Sequence, residues 1–239
     1  MTIIQNSIKQ EPHKKKSGQK LNRLRAAVLG ANDGIVSTAA LVVGVAGASN
    51  STSFILTAGI AGLVSGAISM GVGEYVSVSS QRDSEKALIE KERQEHINSP
   101  TFEFKELVEI YIKKGLSPLI AQKVAEELTN HGALVAHLDA ELGIDPHDLI
   151  DPWHAAYASS LAFVCGAIIP LVMILTPSAT WRIPITFLGV LIALIITGTL
   201  SAYAGGAKKI KATIRVVFGG MLAMAVTFSI GKLLGVAGI

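Results

Sequence analysis

Cysteine is nearly missing from this sequence: Cys165 is the only one, and it lies inside an apolar run. One thiol excludes a disulfide framework and any cysteine-based metal site. Aromatic residues make up 5% and charged residues 16%, the latter against roughly 25% in an ordinary globular domain. Acids are almost absent from the apolar stretches, where only Asp33 and Glu74 occur. No cleavable apolar region stands at the N-terminus, so a secretory leader is not expected. No nucleophile and base stand at a usable spacing, which argues against an enzyme. Internal repeats are not visible.

What is present is hydrophobic length. Half of the residues are hydrophobic and mean hydropathy is +0.48. Five runs, about 26–48, 55–79, 155–176, 183–204 and 214–236, match the roughly 20 helical residues needed to cross a bilayer. The expected fold class is an all-α membrane protein with five transmembrane helices and a cytosolic helical metal-binding insertion between spans two and three. Pro170, Pro177 and Pro184 mark the end of span three and the start of span four.

Charge sets the expected orientation. Of the 21 Lys and Arg, seven precede the first span, eight lie between spans two and three, and four lie between spans four and five. The opposite ends of the spans carry almost none, so the N-terminus and residues 80–151 are expected in the cytosol and the C-terminus outside. Fifteen of the 18 acids fall between Asp83 and Asp151, giving that segment a net charge of −7. Such a segment attracts cations and repels nucleic acid. The expected organisation is a disordered basic cytosolic tail over 1–20, two transmembrane helices over 21–79, an acidic helical metal-binding domain over 80–151, and three transmembrane helices over 152–239.

Residues 58–96 organise the rest, reading as one helix that leaves a glycine-rich apolar half and continues as a charged stalk. In the first span Asn32, Asp33 and Gly34 combine two oxygen ligands with a permissive backbone. A carboxylate there costs about 2.5–3.5 kcal/mol near the bilayer centre, so a cation or proton pathway is the reading preferred over an interfacial pairing with Arg25. In the second span Met70 lies one turn before Glu74, so a thioether and a carboxylate share a face. The repeated glycines there, Gly59, Gly62, Gly66, Gly71 and Gly73, are read as helix-packing positions.

In the acidic segment, Ser-Pro and Asp-Pro pairs predict helices near 80–97, 100–114 and 118–142. Their carboxylates come in register: Glu92 with Glu95, Glu103 with Glu106, and His137 with Glu141. Like charges three or four apart repel unless a cation bridges them. One imidazole among oxygens suits Fe²⁺, Mn²⁺ or another divalent first-row ion. A solvated acidic face balanced by Lys91, Arg93 and Lys105 fits that spacing equally well. A ferritin-type di-iron site needs Glu-x-x-His on two helices. Arg93 and Leu134 stand three before His96 and His137, which excludes it. Five spans do not divide into an inverted repeat, so a symmetric pathway points to a homodimer.

Three features together, NDG in the first span, SMGVGEYVSVSSQRD across the second, and a glutamate-rich insertion before three further spans, resemble the vacuolar iron transporter family in its bacterial-type branch. The resemblance covers residues 21–239. It implies a five-span homodimer that exports Fe²⁺ or similar divalent ions from the cytosol in exchange for protons. The family's membrane-site residues fall on Asp33 and Met70, and its cytosolic glutamates on Glu92, Glu95, Glu103, Glu106 and Glu141. The chain departs from the plant and yeast-like pattern at His137 and Leu138, where a methionine pair is expected, and at Gly62, where a membrane glutamate is expected. Glu74 is the candidate to replace that glutamate.

The expected function is therefore a divalent metal/proton antiporter in the plasma (inner) membrane, with Asn32, Asp33, Met70 and Glu74 along the pathway. Its partners are the lipid bilayer, a second copy, protons, and Fe²⁺ or Mn²⁺, with Zn²⁺ and Co²⁺ as further cargo; no prosthetic group is expected. The alternative is a membrane-anchored metal-storage protein without transport.

Overall fold

A computed structural model describes residues 17–146 and 149–237. Among these the chain is helical throughout: α1 (Ser17–Ala48), α2 (Thr52–Asn98), α3 (Pro100–Lys113), α4 (Pro118–His137), a short π-helical segment (Leu138–Leu142), α5 (Pro152–Leu175), α6 (Arg182–Ala204) and α7 (Lys209–Ala237). Five of the helices are long and apolar enough to cross a membrane: α1 from Ala26, α2, α5, α6 and α7. The tail expected over 1–20 lies outside the described residues up to position 16. From Ser17 onward it is helix, because LNRLRAAVL carries no breaker ahead of the apolar run.

The chain forms two compact units, Met1–Tyr75 with Trp153–Ile239, and Val76–Pro152. The core of the first is built on the i, i+4, i+7 row of α1: Ile35, Ala39, Val42, Val43 and Ala46 pack with Ile55 of α2, Leu171 and Ile174 of α5, Val190 and Leu194 of α6, and Met224 of α7. Apolar residues gain little by leaving lipid for one another, so close packing has to carry the association. Small residues permit it. A Cβ on Gly231 of α7 would collide with the Gly44 carbonyl of α1, and one on Gly34 with the Phe163 carbonyl of α5.

Two sequence expectations need correcting. Pro170 lies inside α5, which runs on to Leu175; a proline removes one helical N–H bond, and packed neighbours tolerate that in such helices. The α2 glycines are packing positions only in part: Gly66 meets the Phe163 ring and Gly59 the Leu171 side chain, but Gly73 has nothing within 4 Å. Arg182, buried at the start of α6, donates to the Asn50 carbonyl (3.3 Å) and to Thr52 Oγ1 (3.1 Å), holding the α1–α2 turn.

The second unit comprises the rest of α2, α3, α4 and the π segment. Helices α3 and α4 begin with Pro100 and Pro118 at their first positions, as the Ser-Pro pairs predict, although neither Ser99 nor Ser117 makes a side-chain cap bond. The helix expected over 118–142 is not continuous. Gly132 adopts extended backbone (φ 168°, ψ 89°), and beyond His137 the helix widens into the π segment, closed by Gly143 in the left-handed region (φ 65°) with Ile144 N–H donating to Leu138 O at 2.9 Å. Few apolar side chains are buried here, among them Leu107, Ala121, Ala125 and Leu138. Buried with them are Glu92, Glu103 and His137.

Candidate metal centre

Four side chains converge inside the Val76–Pro152 unit. Glu92 and His96 lie one turn apart on α2, Glu103 in the first turn of α3, and His137 at the end of α4. One ligand atom from each falls within 4.8 Å of the others. His137 Nδ1 is 3.1 Å from Glu92 Oε1 and 3.7 Å from Glu103 Oε2. His96 Nδ1 is 3.5 Å from Glu92 Oε1 and 4.0 Å from Glu103 Oε2. The two rings stand edge to face with centroids 4.5 Å apart.

His137 is 1% exposed, and the opposite side of its ring fixes the tautomer of the neutral imidazole. Nε2 lies 2.8 Å from the Glu103 backbone carbonyl, which can only accept, so Nε2–H donates there and Nδ1 is left with its lone pair. That lone pair faces a carboxylate oxygen. Neither His137 Nδ1 nor Glu92 Oε1 has a hydrogen-bond partner, and a buried orphan of either kind costs about 1–3 kcal/mol. A proton or a metal ion between them removes the conflict. A ring N–H held by a backbone carbonyl is also the usual support of a metal-ligating histidine.

The kinked end of α4 brings in one further carboxylate. Through the π segment Glu141 places Oε2 3.8 Å from His137 Nδ1, and Lys114 Nζ ties that segment to α3 by donating to the Ala140 carbonyl at 2.9 Å. π-helical turns recur at functional sites, where they re-aim a side chain. Burial, and next the repulsion of Glu141, hold the Glu92 carboxyl above the ordinary carboxylate range, against the attraction of His137 and His96. Burial, then Glu141 and Glu103, push Glu106 upward as well.

Of the residues singled out from sequence, then, Glu92, Glu103 and His137 share one point, with Glu141 beside it. Glu106 lies within their electrostatic reach. Glu95 stands outside the quartet and pairs with Lys91 at 3.4 Å, though its charge still raises Glu106. Sequence reasoning missed His96. It was tested only as the end of a Glu-x-x-His pattern, whereas its partner Glu92 is four residues away, the other spacing that shares a helical face.

The first unit holds a separate groove of about 460 Å³ whose walls include Asp33 and Ser37 of α1 and Ser65, Ser69, Met70 and Glu74 of α2. Two carboxylates, a thioether and several hydroxyls thus line one space in helices of membrane length. Asn32 does not line it; this side chain is half-buried and its Oδ1 has no hydrogen-bond partner.

Residues 24–232 match the VIT family. The chain is 44% identical over 211 residues to a vacuolar iron transporter of Acanthamoeba castellanii, covering 88% of this chain and 78% of that protein. It is 36% identical to vacuolar iron transporter homolog 2 of Arabidopsis thaliana, covering 90% and 86%. With vacuolar iron transporter 1 of Eucalyptus grandis it shares 31% identity, covering 87% and 85%. All three are named for transport and none for an enzymatic activity. The family match spans the acidic quartet and the groove alike, and this chain belongs to the VIT family.

Proposed function

We propose that this protein is a multi-pass membrane transporter, not an enzyme, that moves Fe²⁺ or a similar divalent first-row ion out of the cytosol in exchange for protons. The observation that carries the reading is the groove with Asp33, Met70 and Glu74 on its walls. A carboxylate in a membrane helix is costly unless it serves an ion or proton path, and a protein that only stored metal would have no use for two of them beside a thioether there. The relatives' names agree with iron as cargo.

The proposed topology has five spans with the N-terminus and residues 80–151 in the cytosol, following the distribution of Lys and Arg. Tyr75, Trp153 and Tyr157 support a membrane boundary at that end of the first unit, because their ring centroids lie 4.6 Å apart (tilted) and 5.9 Å apart (stacked) and such residues favour the interface. In a cell without a vacuole the membrane crossed is the plasma membrane. A homodimer is proposed from the apolar stripe Ile60, Val64, Ile68 and Val72 on α2, all exposed in the single chain.

In the proposed mechanism the acidic unit collects metal from the cytosol through Glu92, His96, Glu103 and His137, with Glu141 beside them and Glu95 and Glu106 adding negative potential. The ion then passes to Asp33 and Met70, and protonation of Asp33 or Glu74 from the far side releases it. Moving a divalent cation out against an inside-negative potential costs about 4.6 kcal/mol per 100 mV, which inward protons offset.

The test is metal uptake into proteoliposomes with the cytosolic face outward and an acid interior. Gradient-dependent Fe²⁺ uptake should fall to the level of empty liposomes in Asp33→Ala while metal binding by the detergent-purified protein persists. The storage reading, favoured by the buried quartet taken alone, predicts stoichiometric binding with no uptake by the wild type.

A further inference from the structure

We propose that His96 and His137 make the buried quartet a two-nitrogen, two-oxygen cage that selects Fe²⁺, Co²⁺ and Zn²⁺ over Mn²⁺, Mg²⁺ and Ca²⁺, with His96 as the specificity-determining residue. The inference rests on the transport reading only in taking a divalent metal as cargo.

The donor set argues first. Carboxylate oxygens alone suit Mg²⁺, Ca²⁺ and Mn²⁺, whereas imidazole suits iron, zinc and the later first-row ions. The quartet offers both kinds in equal number: Glu92 and Glu103, His96 and His137. Its four N···O separations run from 3.1 to 4.0 Å. Donors bound at about 2.0–2.2 Å to a four-coordinate ion sit roughly 3.3–3.6 Å apart, so small side-chain adjustments close the cage.

Charge argues second. Two carboxylates and two neutral imidazoles around a divalent cation sum to zero, which a buried site tolerates. Four carboxylates there would leave an uncompensated charge of −2, with the desolvation cost that implies. Glu92 and Glu103 are 5% and 4% exposed and His137 is 1% exposed, so this balance weighs heavily. Glu141, its side chain 35% exposed, and half-buried Glu106 stand outside the quartet.

Orientation argues third. The backbone carbonyl of Glu103 holds the Nε2–H of His137 and presents the Nδ1 lone pair to the cage, so one nitrogen donor is fixed before metal arrives. His96, with its side chain 14% exposed, is the more accessible imidazole. Because Met70 belongs to the groove, the quartet contains no sulfur, and its metal is distinguishable by its neighbours.

The experiment uses the full chain in detergent, stripped of metal and loaded with one equivalent of Zn²⁺, and counts imidazole neighbours by X-ray absorption. Two are expected in the wild type and one in His96→Glu. The ratio of Mn²⁺ to Co²⁺ dissociation constants, measured by competition, should shrink by about tenfold or more in that variant. Should His96→Glu fail to elute as folded protein, the wild-type neighbour count decides alone. Zinc with oxygen neighbours only, lost in Glu103→Gln, overturns the proposal while leaving metal collection and transport standing. No zinc retained by the wild type overturns the proposal together with the collection step.

Discussion

The two units fill their interiors in opposite ways. In the first, Ile35, Val43, Leu194 and Met224 are fully buried, and α1 meets α7 at glycines whose backbones touch. The apolar cluster there closes on itself by packing, and the orphaned polar atoms of this unit, Asn32 Oδ1, Thr38 Oγ1 and Arg182 Nε, lie outside it. In the second, the same depth of burial is given to Glu92, Glu103 and His137, and two of their atoms have no hydrogen-bond partner. That interior is in conflict until a cation or protons enter. The contrast teaches that one region is stable by packing alone, while the other ties part of its stability to occupancy.

The largest expected effect breaks the packed side of the contrast. Gly231→Val puts branched carbons against the Gly44 carbonyl, with backbone rather than a flexible side chain in the way. Overpacking of a dense core costs about 1–3 kcal/mol, occasionally more, and here α1 and α7 must part, so folded protein should fall sharply on size exclusion. Gly219→Ala is the paired control: nothing lies within 4 Å of its added carbon, and it should elute like the wild type. Equal losses in both variants would mean that close approach is not what joins α1 to α7.

The next effect sharpens the conditional side. Saturating Zn²⁺ should slow hydrogen exchange across residues 92–141 and leave α1 and α7 unchanged, since binding at one hundred times the dissociation constant stabilises by about 2.7 kcal/mol. Glu92→Gln separates the two sources of the conflict. Without metal it should exchange more slowly than the wild type, because one repelling charge is gone; with metal it should gain less. Slower exchange in both conditions would remove Glu92 from the ligand set.

These contrasts also explain what could be read in the sequence. The five membrane-length runs and the Ser-Pro helix starts are local signals, set by the composition of each segment, and α3, α4 and α5 begin where those signals put them. Glu92, Glu103 and His137 were visible as acids and an imidazole in helical register. Their convergence was not, because it depends on how α2, α3 and α4 pack across the break at Gly132, and Glu141 joins them only through the π turn after His137. Glycine at position 132 hinted at the break, but no local pattern announces a π turn. His96 was hidden by testing one spacing only. Asp33, Met70 and Glu74 line one groove between α1 and α2, a packing outcome that spacing within one helix cannot show.

The smallest expected effect is a change of sign with pH. The carboxyls of Glu92 and Glu106 are held above their ordinary value of 4.5, mainly by burial; His137 offsets part of the rise in both and His96 part of it in Glu92. Without metal the folded unit therefore keeps protons that the unfolded chain has already lost in the window above that value. Stability falls with rising pH wherever the native state binds more protons. Exchange of residues 92–141, corrected for its intrinsic pH dependence, should thus become faster as pH rises above that value in the presence of chelator. Metal inverts the slope, because it binds only deprotonated carboxylates and releases their protons on binding. With saturating Zn²⁺ protection should rise over the same interval, and Glu92→Gln should flatten both slopes. Matching slopes with and without metal would show that the buried carboxylates do not govern this unit's stability, and the contrast between the two interiors would then reduce to a difference in composition.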